Sequence, residues 1–391
     1  MLNPATVSPD HGLTEADIRD VCASVTKQIS REYMAECSRG RETPKELWRV
    51  MRETGLFGLG VPEEYGGLGG HLTEVALALD LLGQGGLMPF RYVTTQMART
   101  TLRHHGTDEQ KARYLVPAAA GEITFAFALT EADAGTNSFN IRTYAERQAD
   151  GDYEVNGTKM WITGIHEADF AILVTRTAKY DPATKKSGFS VFLLDPKSAG
   201  VSLSPIDVGL HMADRSWVVN LDNVRIPAEN LIGEEGRGLE ALFDCLIPER
   251  LLAAGLNVGL SSFVLNKTAE FARLRAPFGE PIGKYQGVQI PMAEALAMTE
   301  GARALTYQAC AKFDAQIDSG MESDMARFLS AEAYLKAADT AMNTHGGAAT
   351  DMQQDVIPFY LYAKFQSIAP INRNVCLAAI AQREFGFPKS Y

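Results

Sequence analysis

The pattern of this sequence changes twice along the chain, and the two changes restrict the folds that it can adopt. Residues 13 to about 119 carry amphipathic runs and helix-start signals, such as Thr107 and Gln110 at the ends of a capping box. From about residue 121 to 235, short strand-like runs alternate with Gly, Pro, Asp and Asn. From Gly236 onward, apolar residues return at the three- and four-residue spacing of helices. This order predicts a multi-domain α+β protein with a β domain between two helical domains.

The length of the chain predicts its number of domains, and its net charge restricts the partners that it can bind. A chain of 391 residues exceeds the size of one hydrophobic core, so we predict a helical domain at 1–120, a β domain at 121–235 and a helical bundle at 236–391. Within the β domain, the predicted strands are 153–155, 170–175, 189–194, 201–206 and 218–221. The net charge of −11 argues against nucleic acid or an anionic membrane as the main partner.

The cysteines and the apolar runs indicate the cellular compartment in which the protein is expected. The five cysteines are odd in number and scattered without a C-x-x-C pair, which argues against structural disulfides and a cysteine-based metal site. The sequence has neither a run long and apolar enough to span a membrane nor a secretory signal pattern. We therefore expect a cytoplasmic protein.

Two polar segments follow one another in the β region. Residues 127–137 read Phe-Ala-Leu-Thr-Glu-Ala-Asp-Ala-Gly-Thr-Asn, a small-residue turn rich in hydroxyl and backbone N–H donors after an aromatic run. Residues 156–163 read Asn-Gly-Thr-Lys-Met-Trp-Ile-Thr and place an indole and hydroxyls on a predicted strand. Such segments suit a flat ring with polar edges and a nearby phosphate. Together, in this order, they resemble the flavin-binding signature of the acyl-CoA dehydrogenase family.

The resemblance covers the chain from about residue 13 onward and implies that family's FAD cofactor. It also implies that family's fold, with a helical N-terminal domain, a central β-barrel-like domain and a C-terminal helical bundle. In the family, the first segment lines the flavin and approaches the pyrophosphate and the substrate, while the second segment covers the other side of the ring. The positions implied here are Phe127, Leu129, Thr130 and Thr136 in the first segment and Trp161, Ile162 and Thr163 in the second. For Trp161 alone, the ordinary alternative is a packed aromatic on a strand.

A second family element is matched by Arg275, Phe278 and Gln286. In the family, these residue types reach the FAD of a neighbouring subunit, where a guanidinium can pair with a pyrophosphate. The resemblance therefore implies at least a homodimer, and a homotetramer is common in the family. Without the resemblance, Arg275 would be interpreted as a residue at a solvated helix end.

A third element lies at Asn343, Gly346 and Gly347, which resemble a Gln-x-x-Gly-Gly motif near the adenosine half of FAD. The glycine pair permits a close approach of the backbone. Asn343 is shorter by a methylene than the usual Gln. We interpret His345 as a packed or half-exposed residue at a helix end and not as a base.

The catalytic base departs from the commonest family pattern. Abstraction of an α-proton from an acyl thioester needs a carboxylate, which most members carry as a Glu in a turn near the C-terminus. The matching position here is Pro370, and residues 367–372 contain no acid. Isovaleryl-CoA-type and long-chain members place the Glu on the first long C-terminal helix, where this chain has Glu249.

The spacing around Glu249 supports this assignment independently. Glu249 falls on an otherwise apolar stripe with Leu242, Leu246, Ala253, Leu256 and Leu260. A carboxylate on a buried helix face is costly unless it is partnered or functional, and burial would raise its pKa towards that of a general base. The alternatives are that Glu249 pairs with a neighbouring arginine or that the edge of the stripe is wet. Pro248 is expected to kink the helix.

Two questions about this site stay open in the sequence. Arg250 could lie near the substrate's CoA, or it could form a salt bridge. In the family, the backbone N–H at the usual Glu position holds the thioester carbonyl, and Pro370 has no N–H. Either Ala369 or Ile371 would then donate, or the α-proton is activated differently.

We therefore expect an FAD-dependent acyl-CoA dehydrogenase, without a metal, that passes electrons to an electron-transfer flavoprotein. Its substrate would be a thioester of CoA or of an acyl carrier protein, with a branched or bulky acyl group. One alternative is a flavin monooxygenase or oxidase of the same superfamily. Another is a non-catalytic partner subunit or a nucleic-acid-associated relative, suggested by the missing C-terminal Glu.

Overall fold

The computed structural model describes residues 13–178, 188–210 and 212–389. The ends of the predicted domains at 1–12 and 390–391 lie outside the described residues. Six helices precede the sheet: α1 Glu15–Gln28, α2 Arg31–Gly40, α3 Lys45–Glu53, α4 Leu72–Gln84, α5 Phe90–His105 and α6 Asp108–Ala119. The strands are β1 Phe125–Ala128, β2 Tyr144–Arg147, β3 Tyr153–Thr163, β4 Phe170–Arg176, β5 Phe189–Leu194, β6 Val201–Pro205, β7 Ser216–Ile226 and β8 Leu231–Ile232. Five helices follow: α7 Gly238–Leu274, α8 Gln286–Asp314, α9 Gly320–His345, α10 Ile357–Gln366 and α11 Arg373–Phe385. The predicted order of helices, sheet and helices is confirmed.

Local capping explains where some of these helices begin. The Thr107 hydroxyl accepts from the Gln110 backbone N–H at 3.2 Å, and the Gln110 side chain accepts from the Thr107 N–H at 3.0 Å. The predicted capping box is therefore formed and starts α6. Thr14 and Asp17 make the same reciprocal arrangement at the start of α1.

The strands form one mixed sheet in the order β6-β7-β3-β2-β4-β5-β8, with β1 paired in parallel to β4. Four of the five predicted strand segments lie wholly in strands, and the fifth, 201–206, extends one residue beyond β6. Strands β3 and β7 are longer than predicted, since each runs for 11 residues. Their antiparallel pairing contains irregularities between Lys159 and Ile162 and between Val155 and Gly157. Bulges of this kind re-aim side chains.

Helix α7 connects the three parts of the molecule. It runs for 37 residues, and Pro248 lies inside it, so the proline does not end the helix. Gly259 lets α7 approach α4 closely, because a Cβ added there would lie 2.1 Å from the carbonyl oxygen of Asp80. One apolar core accordingly contains residues from both helical regions, such as Leu79 and Leu256.

The sheet has a core of its own and a second core shared with α5, α6 and α7. Val155, Leu173 and Val219 belong to the first, and Leu102, Phe125 and Leu242 belong to the second. The start of α7 therefore packs against the sheet while its middle packs against α4. Among the described residues, no helix has the length and apolar character needed to cross a membrane.

Candidate active site

The structure holds the two predicted flavin segments side by side. The carbonyl oxygen of Thr130 accepts from the Met160 N–H at 2.8 Å. The Lys159 ammonium reaches across from β3 and donates to the carbonyl of Leu129 at 2.9 Å. The turn after β1 is thus fastened to β3, and residues far apart in sequence meet on one surface.

A buried ion pair fixes this junction. The Lys159 ammonium lies 2.8 Å from the Glu131 carboxylate, and the Lys159 side chain is 0% exposed. Glu131 also accepts from the backbone N–H groups of Arg142 at 2.6 Å and Thr143 at 3.0 Å, and from the Thr143 hydroxyl at 2.6 Å. Burial lowers the pKa of Lys159 to about 8 against the opposing charge of Glu131. The desolvation of Glu131 is outweighed by Lys159 and these hydrogen bonds, so its pKa lies below the usual range.

The sequence analysis missed this pair. The available signal was one acid and one lysine, each inside one of the two segments. The sequence does not show that these two residues meet, because Glu131 lies in the turn after β1 and Lys159 lies on β3.

The predicted flavin-contact residues differ in exposure. Trp161 is 53% exposed and has a φ of 62°, a strained value for a tryptophan. Phe127, Leu129, Thr130 and Thr163 are half-buried, and Thr136 is exposed. Ile162 is only 2% exposed and packs inside the sheet core, so its side chain faces away from this surface and only its backbone can meet a ligand there.

The surface fits the cofactor that the sequence implies. An exposed indole provides an apolar wall, and the hydroxyls of Thr130, Thr136 and Thr163 provide polar partners. Gly135 adds an accessible backbone, since a Cβ built there would meet no atom within 4 Å. Strain at an exposed aromatic is a feature typical of functional surfaces.

The second element lies at the far end of α7. Arg275 ends that helix, Gln286 starts α8, and both are exposed. Phe278, in the loop between them, is 81% exposed. Over the described residues, no hydrogen bond, ion pair or ring contact joins these three to the flavin segments. The single chain therefore does not bring the second element to the first.

The third element closes α9. Asn343 is exposed and donates to the Asp339 carboxylate at 3.1 Å. Gly346 has a φ of 60°, and a Cβ built on Gly346 or Gly347 would meet no atom of this chain within 4 Å. His345 is buried, stacks on Phe271 at 4.1 Å and bonds the Ala341 carbonyl at 2.8 Å. The histidine is thus a packed residue, and the glycine backbone faces open space.

Glu249 is a carboxylate without a partner. Among the described residues, no hydrogen-bond donor and no cationic group within 4.0 Å is recorded for it. The neighbouring Arg250 is instead ion-paired with Asp324 of α9 at 3.0 Å. The alternative in which Glu249 pairs with an adjacent arginine is therefore wrong for Arg250.

The surroundings of Glu249 change its acidity. Its side chain keeps some solvent contact in the single chain, yet the protein encloses the carboxylate closely. Burial raises its pKa to about 7, against the opposing charges of Arg250 and Arg327. A carboxyl group with such a pKa can both accept and release a proton near neutral pH. Cys245, one turn earlier, is buried and its pKa is raised by burial, so it is not an activated thiol.

The turn at 367–372 supplies no acid and little backbone donation. The Ala369 N–H is bonded to the Phe365 carbonyl at 3.0 Å, and Pro370 has no N–H. The Ile371 N–H has no recorded partner within the described chain. Of the two donors that the sequence left open, Ala369 is occupied and Ile371 is available.

Comparisons with known proteins agree across the chain. The family described as "Acyl-CoA dehydrogenase, N-terminal domain" matches residues 12–122, the middle-domain family matches 126–224, and the C-terminal-domain family matches 236–385. Acyl-CoA dehydrogenase FadE12 of Mycobacterium tuberculosis is 33% identical over 96% of both chains.

Solved structures show the same likeness. Butyryl-CoA dehydrogenase from Megasphaera elsdenii has a TM-score of 0.90 and 25% identity, over 96% of this chain and 100% of that one. A structure described as the FAD complex of PigA has a TM-score of 0.87 and 26% identity, over 96% of this chain and 99% of that one.

Proposed function

This chain belongs to the acyl-CoA dehydrogenase family, and from that premise we propose that it oxidises an acyl thioester at its α and β carbons with Glu249 as the base. It is a flavin-dependent oxidoreductase, and FAD is its cofactor. The observation that carries the proposal is the Glu249 carboxylate, which is enclosed, unpaired and shifted to a pKa of about 7. A structural carboxylate in such a place would be paired, because an isolated buried charge is costly.

The proposed chemistry assigns one task to Glu249. The carboxylate takes the α-proton, which becomes bonded to a Glu249 oxygen while the Cα–H bond breaks. The bound flavin supplies the acceptor for the hydride that leaves the β-carbon. The raised pKa of about 7 lets the carboxylate hold the proton in the closed site and release it afterwards.

The residues proposed to hold the flavin are those of the three elements. Thr130, Thr163 and Trp161 contribute polar edges and an aromatic wall, and Thr136 is proposed for the phosphate and substrate end. Arg275, Phe278 and Gln286 are proposed to serve the cofactor of a second copy, since they are exposed and lie between the end of α7 and the start of α8. The proposed flavin-binding residues also include Asn343, Gly346 and Gly347. This arrangement requires a homodimer or a homotetramer.

The substrate carbonyl needs a donor, and we assign it to the Ile371 N–H, which follows Pro370 and has no backbone partner within the described residues. An N–H aimed at a developing oxyanion lowers the cost of forming the enolate. Because no acid side chain extends from the turn at 367–372, we further propose a branched or bulky acyl group. Arg250, held by Asp324, is proposed to serve structure more than substrate binding.

The remaining proposals concern partners and organisation. We propose CoA or an acyl carrier protein as the thioester carrier and an electron-transfer flavoprotein as the acceptor. The division at 120 and 235 is retained as a proposed domain division.

The test is an anaerobic titration of the purified flavoprotein with straight-chain and branched acyl-CoAs, followed by flavin absorbance. We expect bleaching, with the largest amplitude for a branched or bulky thioester. A yellow protein that no thioester reduces would refute the dehydrogenase assignment. Rapid reoxidation by air after reduction would favour an oxidase or monooxygenase.

The base is tested with two matched substitutions on one helix. Glu249→Gln should retain FAD but lose at least ~100-fold in the rate of flavin reduction, the usual scale for a general base. Glu270→Gln, at an exposed position of α7, should reduce at the wild-type rate. Near-normal reduction by the Glu249 variant would exclude it as the base.

A further inference from the structure

Arg327 of α9 is a buried cation with an unusual set of partners. The side chain is among the largest fully buried ones, with 1% of the residue exposed. Its Nη2 donates to the carbonyl oxygen of Ala369 at 2.5 Å and also to that of Gln366. Its Nε and Nη1 are buried and have no hydrogen-bond partner among the described residues. A guanidinium in such a place normally pairs with a carboxylate, and none lies within ion-pair distance of it in the part of the chain that the structure describes.

The position of Arg327 connects it with the base. Asp324 and Arg327 are three residues apart on α9, so they lie on one face of that helix. Glu249 and Arg250 are successive residues of α7, and Asp324 is ion-paired to Arg250 at 3.0 Å. The packed helices thus bring two acids and two arginines together. Arg250 is ion-paired with Asp324, whereas Arg327 and Glu249 have no ion-pair partner within the described ranges.

We propose that Arg327 is the positioning residue of this active site: it favours the charged carboxylate of Glu249 and fixes the turn at 367–372. The inference rests on the proposed role of Glu249. The bonds to Gln366 and Ala369 hold the chain where the 367–372 turn begins, and so determine where the Ile371 N–H lies. One side chain therefore fixes the turn that carries the donor and places a positive charge near the base.

The positive charge of Arg327 opposes the effect of burial on the pKa of Glu249. Burial lowers the pKa of Arg327 to about 10, so the group is cationic at neutral pH. Burial raises the pKa of Glu249, and the positive charges of Arg250 and Arg327 limit the rise. The other ionisable groups around the array are Cys245 on α7, Asp324 on α9, Tyr362 on α10, and Cys376 and Arg383 on α11. Since burial keeps the two thiols and the phenol neutral near pH 7, the arginines and acids determine the local charge.

The experiment is the pH dependence of anaerobic flavin reduction in the holoenzyme and its variants. In Arg327→Gln, loss of the cation should move the acid limb of the profile to higher pH by about one unit. Well below the limb, reduction would then be about tenfold slower than in the wild type. Arg327→Lys keeps the charge and should keep the limb near its original place. Arg303→Gln is the matched control, because Arg303 is an ion-paired arginine bound to Asp80 of α4; it should lower stability without moving the limb.

A second readout does not depend on turnover. The pH dependence of the thermal midpoint should differ between wild type and Arg327→Gln, and this difference should vanish in a Glu249→Gln background, as a double-mutant cycle requires if Arg327 acts on Glu249. An unmoved limb in a folded Arg327→Gln variant, or an equal shift in Arg303→Gln, would overturn the proposal. If no thioester reduces the wild-type flavin, the proposed function fails, and the thermal cycle still decides whether Arg327 controls Glu249.

Discussion

The carboxylate that serves as the proposed base should destabilise the folded protein, and the size of this effect can be worked out from the structure. The pKa of Glu249 is raised by burial from 4.5 to about 7. The folded state therefore holds a proton between these values that the unfolded chain has already released. Stability falls as the pH rises through this window and stays low above it. At about 1.4 kcal/mol per pKa unit, ionised Glu249 costs about 3 kcal/mol.

Glu249→Gln removes the ionisation and should recover this free energy only at high pH. An unfolding entropy of about 2.1 cal/mol/K per residue gives about 0.8 kcal/mol/K for 391 residues. The variant should therefore melt about 4 °C above the wild type at about pH 8.5 and show almost none of this gain at about pH 4.5. Any effect of the amide's own packing is the same at both pH values and cancels from the comparison.

The assay is differential scanning calorimetry of both proteins in the presence of the same excess of FAD. Glu270→Gln, at an exposed position of the same helix, is the control and should show no pH-dependent difference. An equal difference in midpoint at the two pH values would refute the assignment of a shifted carboxyl group at position 249. A Glu249→Gln variant that is less stable than the wild type only at high pH would show the opposite effect, and it would also refute the assignment.

Three further predictions concern the flavin surface and the helix contact. Lys159→Met should lower the free energy of unfolding by about 3 kcal/mol, because it leaves the Glu131 carboxylate buried without its cation. The variant should also retain less FAD after gel filtration. Unchanged stability and unchanged FAD retention would contradict the structural role of the pair. Trp161→Ala and Arg275→Ala should each weaken FAD retention, and full occupancy in both variants would disprove the proposed flavin contacts. Gly259→Ala should destabilise by several kcal/mol, since the added methyl would overlap the Asp80 carbonyl, whereas a wild-type midpoint would show that the helices can separate at little cost.

The sequence predicted the order of the elements and the helix caps well, because these depend on local patterns. The strands β4 and β5 are strongly apolar runs and were located to within one residue. Strand β2 was not predicted, because its Tyr144–Arg147 segment has little alternation and is held by its neighbours in the sheet. The unpaired state of Glu249 was open in the sequence, since the residue that captures Arg250 lies on another helix.

Contacts between distant elements were also invisible in the sequence for the rest of the site. Motif order located Trp161 and Glu249 as candidates, but the structure was needed to find Arg327, because its partners at 366 and 369 are backbone carbonyls that leave no trace in side-chain pattern. The irregularity of β3 between Lys159 and Ile162 leaves Trp161 exposed and Ile162 buried, which the resemblance alone did not distinguish.

The close contact between Asp80 and Gly259 has a consequence for how the chain is made. The two residues are 179 positions apart, and the whole sheet lies between them in the sequence. During synthesis, the first six helices leave the ribosome well before the long helix that covers them. Their apolar faces therefore stay exposed to solvent until α7 has been made. The sheet segment carries a separate core and can condense in the meantime. We therefore expect residues 13–235, expressed alone, to aggregate or bind chaperones until the chain beyond Gly259 is supplied.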